Sequence, residues 1–315
     1  MANTPAGTRQ AREPSLNLLV RLGERLTSER FFGTALIAPM QLLLWFLLII
    51  PTVIVIYLSV VAWEPRMGVE WWNAPFAFLS NYTKVLQDGR FWAAIARSVG
   101  IVVVAVGLEF LLGLGMALFF SRQLPGKRLM TSVILYPMML PWVVVGLCFY
   151  LLFLDRGPVN YLLTQLLGPQ AAVEWFKSPP LAIGTIVLGD IWQWTPFLFL
   201  ILYSGLGALP KDPVEAALNL GANRWQIFRY VTLPMLRPVI LIALVIRGLE
   251  AFKIFDLIFV MTGGGPGTAT ETISLYIYRA GFLFGQLSYA AAMAVLILLM
   301  ITLITRYAIR PLEQK

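Results

Sequence analysis

Residues 210–238, PKDPVEAALNLGANRWQIFRYVTLPMLRP, lie between two long apolar runs and look like neither. The segment opens as a short helix, with Asp212 placed for an N-cap, Pro213 for the first helical position and Glu215 for the returning arm of a capping box. Gly221 is the stop signal. A helix of about eight residues is marginal on its own, and Val214, Ala216, Ala217, Leu218 and Leu220 put apolar surface on more than one of its faces. Water rewards no such surface, so a second protein is expected to cover it, with Ala216 and Ala217 allowing close approach. Arg224 to Tyr230 can form a second short helix before Leu233-Pro234 restarts the chain into an apolar run.

The flanking runs set the class. Of 315 residues, 59% are hydrophobic and only 13% charged, outside the soluble globular range and inside that of polytopic membrane proteins. Cys148 is the single cysteine and there is no histidine, which removes disulfide frameworks, His or Cys zinc sites, Ser-His triads and histidine proton relays. The first thirty residues carry Arg9, Arg12, Arg21, Arg25 and Arg30 without a long apolar core, so they read as a cytoplasmic tail, part of it an interfacial helix, and not as a cleaved signal.

A hydrocarbon layer takes about 20 apolar helical residues to cross. Residues 31–63, 129–154 and 280–305 contain no charge, 98–121 contain only Glu109, and 178–210 only Asp190. A further span near Pro234 to Val260 is needed to connect them and contains Arg247, Glu250, Lys253 and Asp256. The expected architecture is therefore all-α, a polytopic membrane protein with six transmembrane helices at 31–62, 93–121, 129–154, 181–209, 234–260 and 284–307. The loop at 210–233 and the tails 1–30 and 311–315 complete it. Lys and Arg concentrate in the N-terminal tail, in the second loop (Arg122, Lys127, Arg128), in the fourth (Lys211, Arg224, Arg229, Arg237) and at the C-terminus (Arg306, Arg310, Lys315). By the positive-inside rule these face the cytoplasm, and both termini with them. The net charge of +8 follows from this asymmetry and from anionic lipid; no basic stripe interleaved with aromatics is long enough to track nucleic acid.

Glu215-Ala216-Ala217, Gly221-Ala222, Phe228, Leu233-Pro234 and Pro238 together resemble the signature loop of the integral membrane subunits of binding-protein-dependent ABC importers. IWQWTPFLFL at 191–200, GPVNYLL at 157–163 and FDLIFVMTGGGPGTATET at 255–272 are similar to the carbohydrate-importing branch, so the resemblance covers roughly residues 30–310. It implies that residues 210–233 are a coupling loop docking in a cytoplasmic ATPase dimer through Glu215, Ala216, Ala217, Leu220, Gly221, Ala222, Arg224 and Phe228. Leu220 and Val231 depart from the pattern, which usually has Asp and Ile there; without the Asp, the docking charge falls mostly to Glu215. The resemblance further implies a second permease subunit, in a heterodimer, an extracytoplasmic sugar-binding protein, a bacterial inner membrane location, and alternating access driven by ATP closing the ATPase dimer. No cofactor is expected in this chain, ATP and magnesium belonging to the ATPase: no GxxxxGK[ST] occurs, and Gly263-Gly264-Gly265-Pro266-Gly267 lacks the Lys and Ser/Thr of a nucleotide loop and reads as a flexible external turn.

Each candidate also has a plainer reading. Glu215 can be only a helix cap. Arg247, Glu250, Lys253 and Asp256 alternate in sign at i, i+3 and can form an internal ion-pair ladder, or, together with Asp190, line an outward-opening aqueous pathway. Glu109 is expected to pair with Arg247 or with a neighbouring subunit's cation. Trp192, Trp194, Phe197, Phe199 and Tyr203 can face lipid, or some of them can stack on sugar rings while Gln193 supplies hydrogen bonds. The four charges of the fifth span sum to zero, which favours a neutral sugar or polyol. Two other classes compete: an ion-coupled secondary transporter of a small polar solute, for which no internal repeat is found, and an intramembrane enzyme, for which only an unconnected carboxylate pair, Glu109 and Asp190, remains.

Overall fold

The computed structural model describes residues 29–122 and 124–313, so most of the expected N-terminal tail lies outside the described residues. The chain divides into two compact units at Tyr57 and Leu58. The described part of the first unit is helical throughout: α1 (Glu29–Leu44), a π-helical turn (Trp45–Ile49), and the start of α2 (Ile50–Val60). Pro51 explains the π turn. A proline has no N–H to bond four residues back and its ring crowds that carbonyl, so the backbone widens on the approach to it.

The second unit contains α3 (Ser80–Gln87), α4 (Gly89–Phe120), α5 (Lys127–Leu135), α6 (Trp142–Leu152), α7 (Pro158–Leu167) and α8 (Pro179–Gly207). It continues with α9 (Asp212–Asn219), α10 (Arg224–Ile227), α11 (Leu233–Phe252), α12 (Asp256–Met261), α13 (Ile273–Tyr278) and α14 (Leu287–Glu313). Among the described residues there is no strand, only an isolated antiparallel bridge between Val61 and Phe76. Among the described residues, five helices are long and apolar enough to cross a membrane, and six if the bent α5–α6 pair counts as one span.

Three segments differ from their expected form. The stretch over 129–154 is not straight: α5, a 3-10 turn at Pro137–Met139 and α6 meet at 94°, because Pro137 and Pro141 withdraw two N–H donors within five residues. Leu233-Pro234 does not follow a break in the helix. Arg224 to Phe252 is one continuous run in which a π turn (Phe228–Thr232) again precedes the proline. At the other end the helix stops at Phe252, short of Val260, and the Thr272 hydroxyl takes the freed Ile254 carbonyl at 3.2 Å.

The core of this unit is built on α4 against α8. A methyl on Gly113 would stand 2.9 Å from the Phe199 backbone nitrogen, closer than side-chain carbons approach, so the glycine lets the two backbones meet. Ala117, Phe120, Phe199, Leu202 and Leu236 close one end of this seam. Ile101, Ala105, Val145, Phe149, Ile186, Leu257 and Ile258 fill the other, where α6 and α12 join.

Candidate functional sites: an exposed short helix and a buried charge triad

The α9 helix begins one residue earlier than expected, at the residue assigned to the cap. Lys211, in helical conformation, offers its carbonyl to the Val214 and Glu215 N–H groups at 3.0 Å each, so Asp212 is already the first helical residue and no side chain caps the end. The expected capping box at Asp212 and Glu215 therefore does not form; both carboxylates remain in the first turn, where the helix dipole favours them. Gly221 does stop the helix. At φ +81° it allows its own N–H to bond the Leu218 carbonyl at 2.9 Å and the Ala222 N–H to bond Ala217 at 3.0 Å, a Schellman closure. A capping box that sequence reasoning missed lies immediately downstream. Asn223 Oδ1 accepts from the Gln226 N–H at 2.9 Å, and Gln226 Oε1 accepts from the Asn223 N–H at 2.8 Å. Asn-x-x-Gln was its signal.

These devices fix a segment that the rest of the chain does not cover. No residue of α9 is buried; Leu220 is 88% exposed, and Leu218, Trp225 and Tyr230 are exposed beside it. Glu215, Ala216, Gly221 and Arg224 are exposed, while Ala217, Ala222 and Phe228 are half-buried. Among the described residues, Glu215 takes part in no ion pair or side-chain hydrogen bond.

Inside the long helices the chain does the reverse and hides its charges. Arg247 of α11, the largest fully buried side chain among the described residues, donates from Nε and Nη2 to Glu109 of α4 at 2.7 and 2.8 Å. Its Nη2 also donates to Asp190 of α8 at 2.5 Å. All three side chains have 0% exposure, and the guanidinium carbon lies 5.2 Å from the Trp194 ring centre. The expected pairing of Glu109 with Arg247 is present; the ladder along α11 is not. Only the Glu250–Lys253 rung forms, at 2.8 Å and exposed, because Arg247 turns inward and the helix ends before Asp256 can continue the row. Of the other pathway candidates, Gln193 is buried and donates to the Leu140 carbonyl at 2.8 Å, Trp194 is half-buried, Trp192 is exposed and Asp256 is half-buried at the head of α12.

A second charge centre had no sequence signal beyond Arg90 and Arg97 lying seven residues apart. Buried Glu271 accepts from Arg90 Nε and Nη2 at 2.8 Å each and from Arg279 Nη1 at 2.5 Å, and its backbone carbonyl accepts from Arg97 Nε at 2.9 Å. Burial alone would raise the Glu271 carboxyl, but the arginine hydrogen bonds outweigh it and hold the group below the usual carboxylate range. Arg279 also bonds the Gly263 carbonyl, and the Thr270 hydroxyl bonds Gly265 at 2.8 Å. The glycine turn, expected to be flexible, is thus tied down. Asp88 accepts from the Tyr276 and Tyr289 hydroxyls at 2.5 and 2.6 Å; burial opposes its ionisation and these bonds favour it more, so its carboxyl is lowered too.

A family model described as the inner membrane component of binding-protein-dependent transport systems matches residues 109–315. The chain belongs to this family. It is a multi-pass membrane permease component and not an enzyme. Over 247 residues it is 36% identical to the trehalose/maltose transport system permease protein MalF of Thermococcus litoralis, covering 75% of this chain and 82% of that one. It is 34% identical over 292 residues to the sulfoquinovosyl glycerol transport system permease protein SmoG of Agrobacterium fabrum, covering 91% and 92%. Among solved structures, a bacterial ABC transporter involved in the import of alginate aligns with 93% of the chain and 99% of its own at TM-score 0.77 and 19% identity, a likeness of fold.

Proposed function

We propose that this permease carries a neutral sugar or polyol across the bacterial inner membrane, driven by a separate ATPase dimer that grips residues 210–233. The observation that carries this reading is the exposed α9 segment: a glycine stop and a capping box hold it in shape while Leu218, Leu220 and Trp225 face outward and Glu215 has no side-chain partner among the described residues. A surface so fixed and so apolar is written for a docking partner, and the family resemblance of Glu215-Ala216-Ala217 and Gly221-Ala222 makes that partner the ATPase. The distribution of Lys and Arg supports a cytoplasmic side for this end and both termini. The opposite end receives the sugar from an extracytoplasmic binding protein, and a second permease subunit completes the pathway. ATP and magnesium stay on the ATPase. The sugar transporters among the relatives support the substrate class.

Co-expression with the partner permease and ATPase, followed by purification in mild detergent, tests the docking. Wild-type chain brings the ATPase with it. Because no capping bond depends on the Glu215 side chain, Glu215→Gln keeps the fold and loses ATPase recovery and transport; full recovery with Glu215→Gln and with Ala217→Trp would refute the reading.

A further inference from the structure

A cleft of about 480 Å³ lies at the end of α4 away from α9. The other end of that helix, at Leu118 and Ser121, shares a cavity with Val214 and Leu218 of α9. Asp88, the N-cap of α4, lines the cleft, and 32 helical residues at about 1.5 Å each put about 48 Å between the two ends. Three apolar helices stop at its walls. α2 ends at Val60, two residues before Ala62; α4 begins just after Asp88; and α14 begins at Leu287, beside Ser288 and Tyr289. A helix of about 48 Å crosses the roughly 40–45 Å of a bilayer with both its headgroup layers, so the cleft sits at the level of lipid headgroups.

The walls are fixed by hydrogen bonds. The Trp63 N–H donates to the Ser288 hydroxyl at 3.0 Å, and Asn81 Nδ2 donates to the Ser59 and Val61 carbonyls at 3.0 and 2.9 Å. Asp88 accepts from the Tyr276 and Tyr289 hydroxyls and from the Arg90 N–H, all neutral donors, while the Arg90 guanidinium is paired with Glu271.

Charges of both signs meet here without pairing. Glu64 and Lys84 line the cleft, and Arg66 Nε stands 3.8 Å from where a methyl on Gly285 would lie, next to Gln286 of the same wall. None of Glu64, Arg66 and Lys84 takes part in an ion pair or side-chain hydrogen bond among the described residues. An anion would suit Lys84 and Arg66 but meet Glu64 and Asp88; a simple cation would do the reverse. An uncharged sugar would leave all four without a counter-charge. A zwitterion answers both signs, and at this depth the surrounding medium is itself made of zwitterionic headgroups. A primary ammonium brings three N–H donors to the carboxylates, whereas a quaternary one brings none.

We propose that this cleft seats the headgroup of phosphatidylethanolamine, its ammonium between Glu64 and Asp88 and its phosphate against Lys84 and Arg66. The site is separate from the transport pathway and stands whichever solute is carried.

The test uses the full complex with its partner permease and ATPase, solubilised in mild detergent and exchanged against equimolar dioleoyl phosphatidylethanolamine, phosphatidylcholine and phosphatidylglycerol. Native mass spectrometry reads the lipid retained. Wild type holds phosphatidylethanolamine over phosphatidylcholine by at least about tenfold, and its mono- and dimethyl forms fall stepwise between them. Glu64→Gln has no side-chain partner to lose, so it keeps the melting temperature and ATPase recovery of wild type and loses this preference. Lys84→Met weakens retention of phosphatidylethanolamine and phosphatidylcholine alike. The proposal is overturned by equal retention of the two lipids in wild type, by a preference that survives Glu64→Gln, or by glycerophosphoethanolamine, which has the headgroup without the tails, binding as tightly as the lipid.

Discussion

Replacing Arg247 by methionine removes the one cation from a pocket that keeps two carboxylates. Glu109 loses both of its hydrogen bonds and Asp190 its single one, and all the atoms concerned have 0% exposure, so no water compensates. Removing one partner of a buried ion pair costs about 3–5 kcal/mol, whereas replacing every member by apolar residues of similar volume is often neutral or stabilising. At about 2–4 °C per kcal/mol for a unit of this size, Arg247→Met is expected to melt roughly 6–20 °C below wild type. The triple variant Glu109→Leu, Asp190→Leu, Arg247→Met should recover most of that loss, because it buries no unpaired charge. Thermal unfolding of the purified complex, followed by size-exclusion fluorescence, measures both. A triple variant that melts no higher than Arg247→Met, or an Arg247→Met that melts with wild type, would show that the triad does not carry the stability its geometry implies.

Gly221→Ala places a side chain at φ +81° and should cost about 1–2 kcal/mol of local strain, read as weaker ATPase recovery with normal membrane insertion. At Gly113 the obstacle is the Phe199 backbone nitrogen, which cannot rotate away as a side chain would. Gly113→Val is therefore expected to cost at least the roughly 1–3 kcal/mol of ordinary overpacking and to lower the yield of monodisperse protein. Glu271 has a depressed carboxyl, so the stability it contributes is complete above the ordinary carboxylate value of about 4.3 and is lost as pH falls through its folded value. A melting curve against pH should accordingly fall in acid, and Glu271→Gln should flatten that limb and lower the neutral plateau, by an amount of order 1–3 kcal/mol.

What the sequence disclosed follows from how far each determinant reaches. The stop at Gly221 was readable because only glycine takes a left-handed conformation cheaply, and the requirement is contained in one residue. The start of the same helix was not, since it depended on which carbonyl, that of Lys211 or of Asp212, took the first donors, a difference of one residue in backbone angle. Arg247 has Glu250 one turn away on its own helix, yet it pairs with residues 138 and 57 positions distant. Local spacing offers the exposed partner; burial requires the one whose oxygens match the guanidinium fork. Glu271 was invisible for the same reason. Its arginine Arg90 lies 181 residues away, and a single glutamate in a threonine-rich loop carries no periodic signal.

The buried triad and the unpaired atoms around it bear on stability and transport with opposite signs. A chain selected for stability alone would fill this level with leucine, as the triple variant does, and would pay neither for a buried guanidinium nor for the partnerless Asp190 Oδ1 and Arg247 Nη1. Retaining them is reasonable only where a second state, with the helices apart, recovers what the closed state gives up. The triple variant therefore separates the two roles of these residues: it should melt close to wild type, recover the ATPase normally through an untouched α9, and fail to move sugar. Uptake at the wild-type rate by that variant would leave the polar seam without a purpose in transport, whatever its melting temperature.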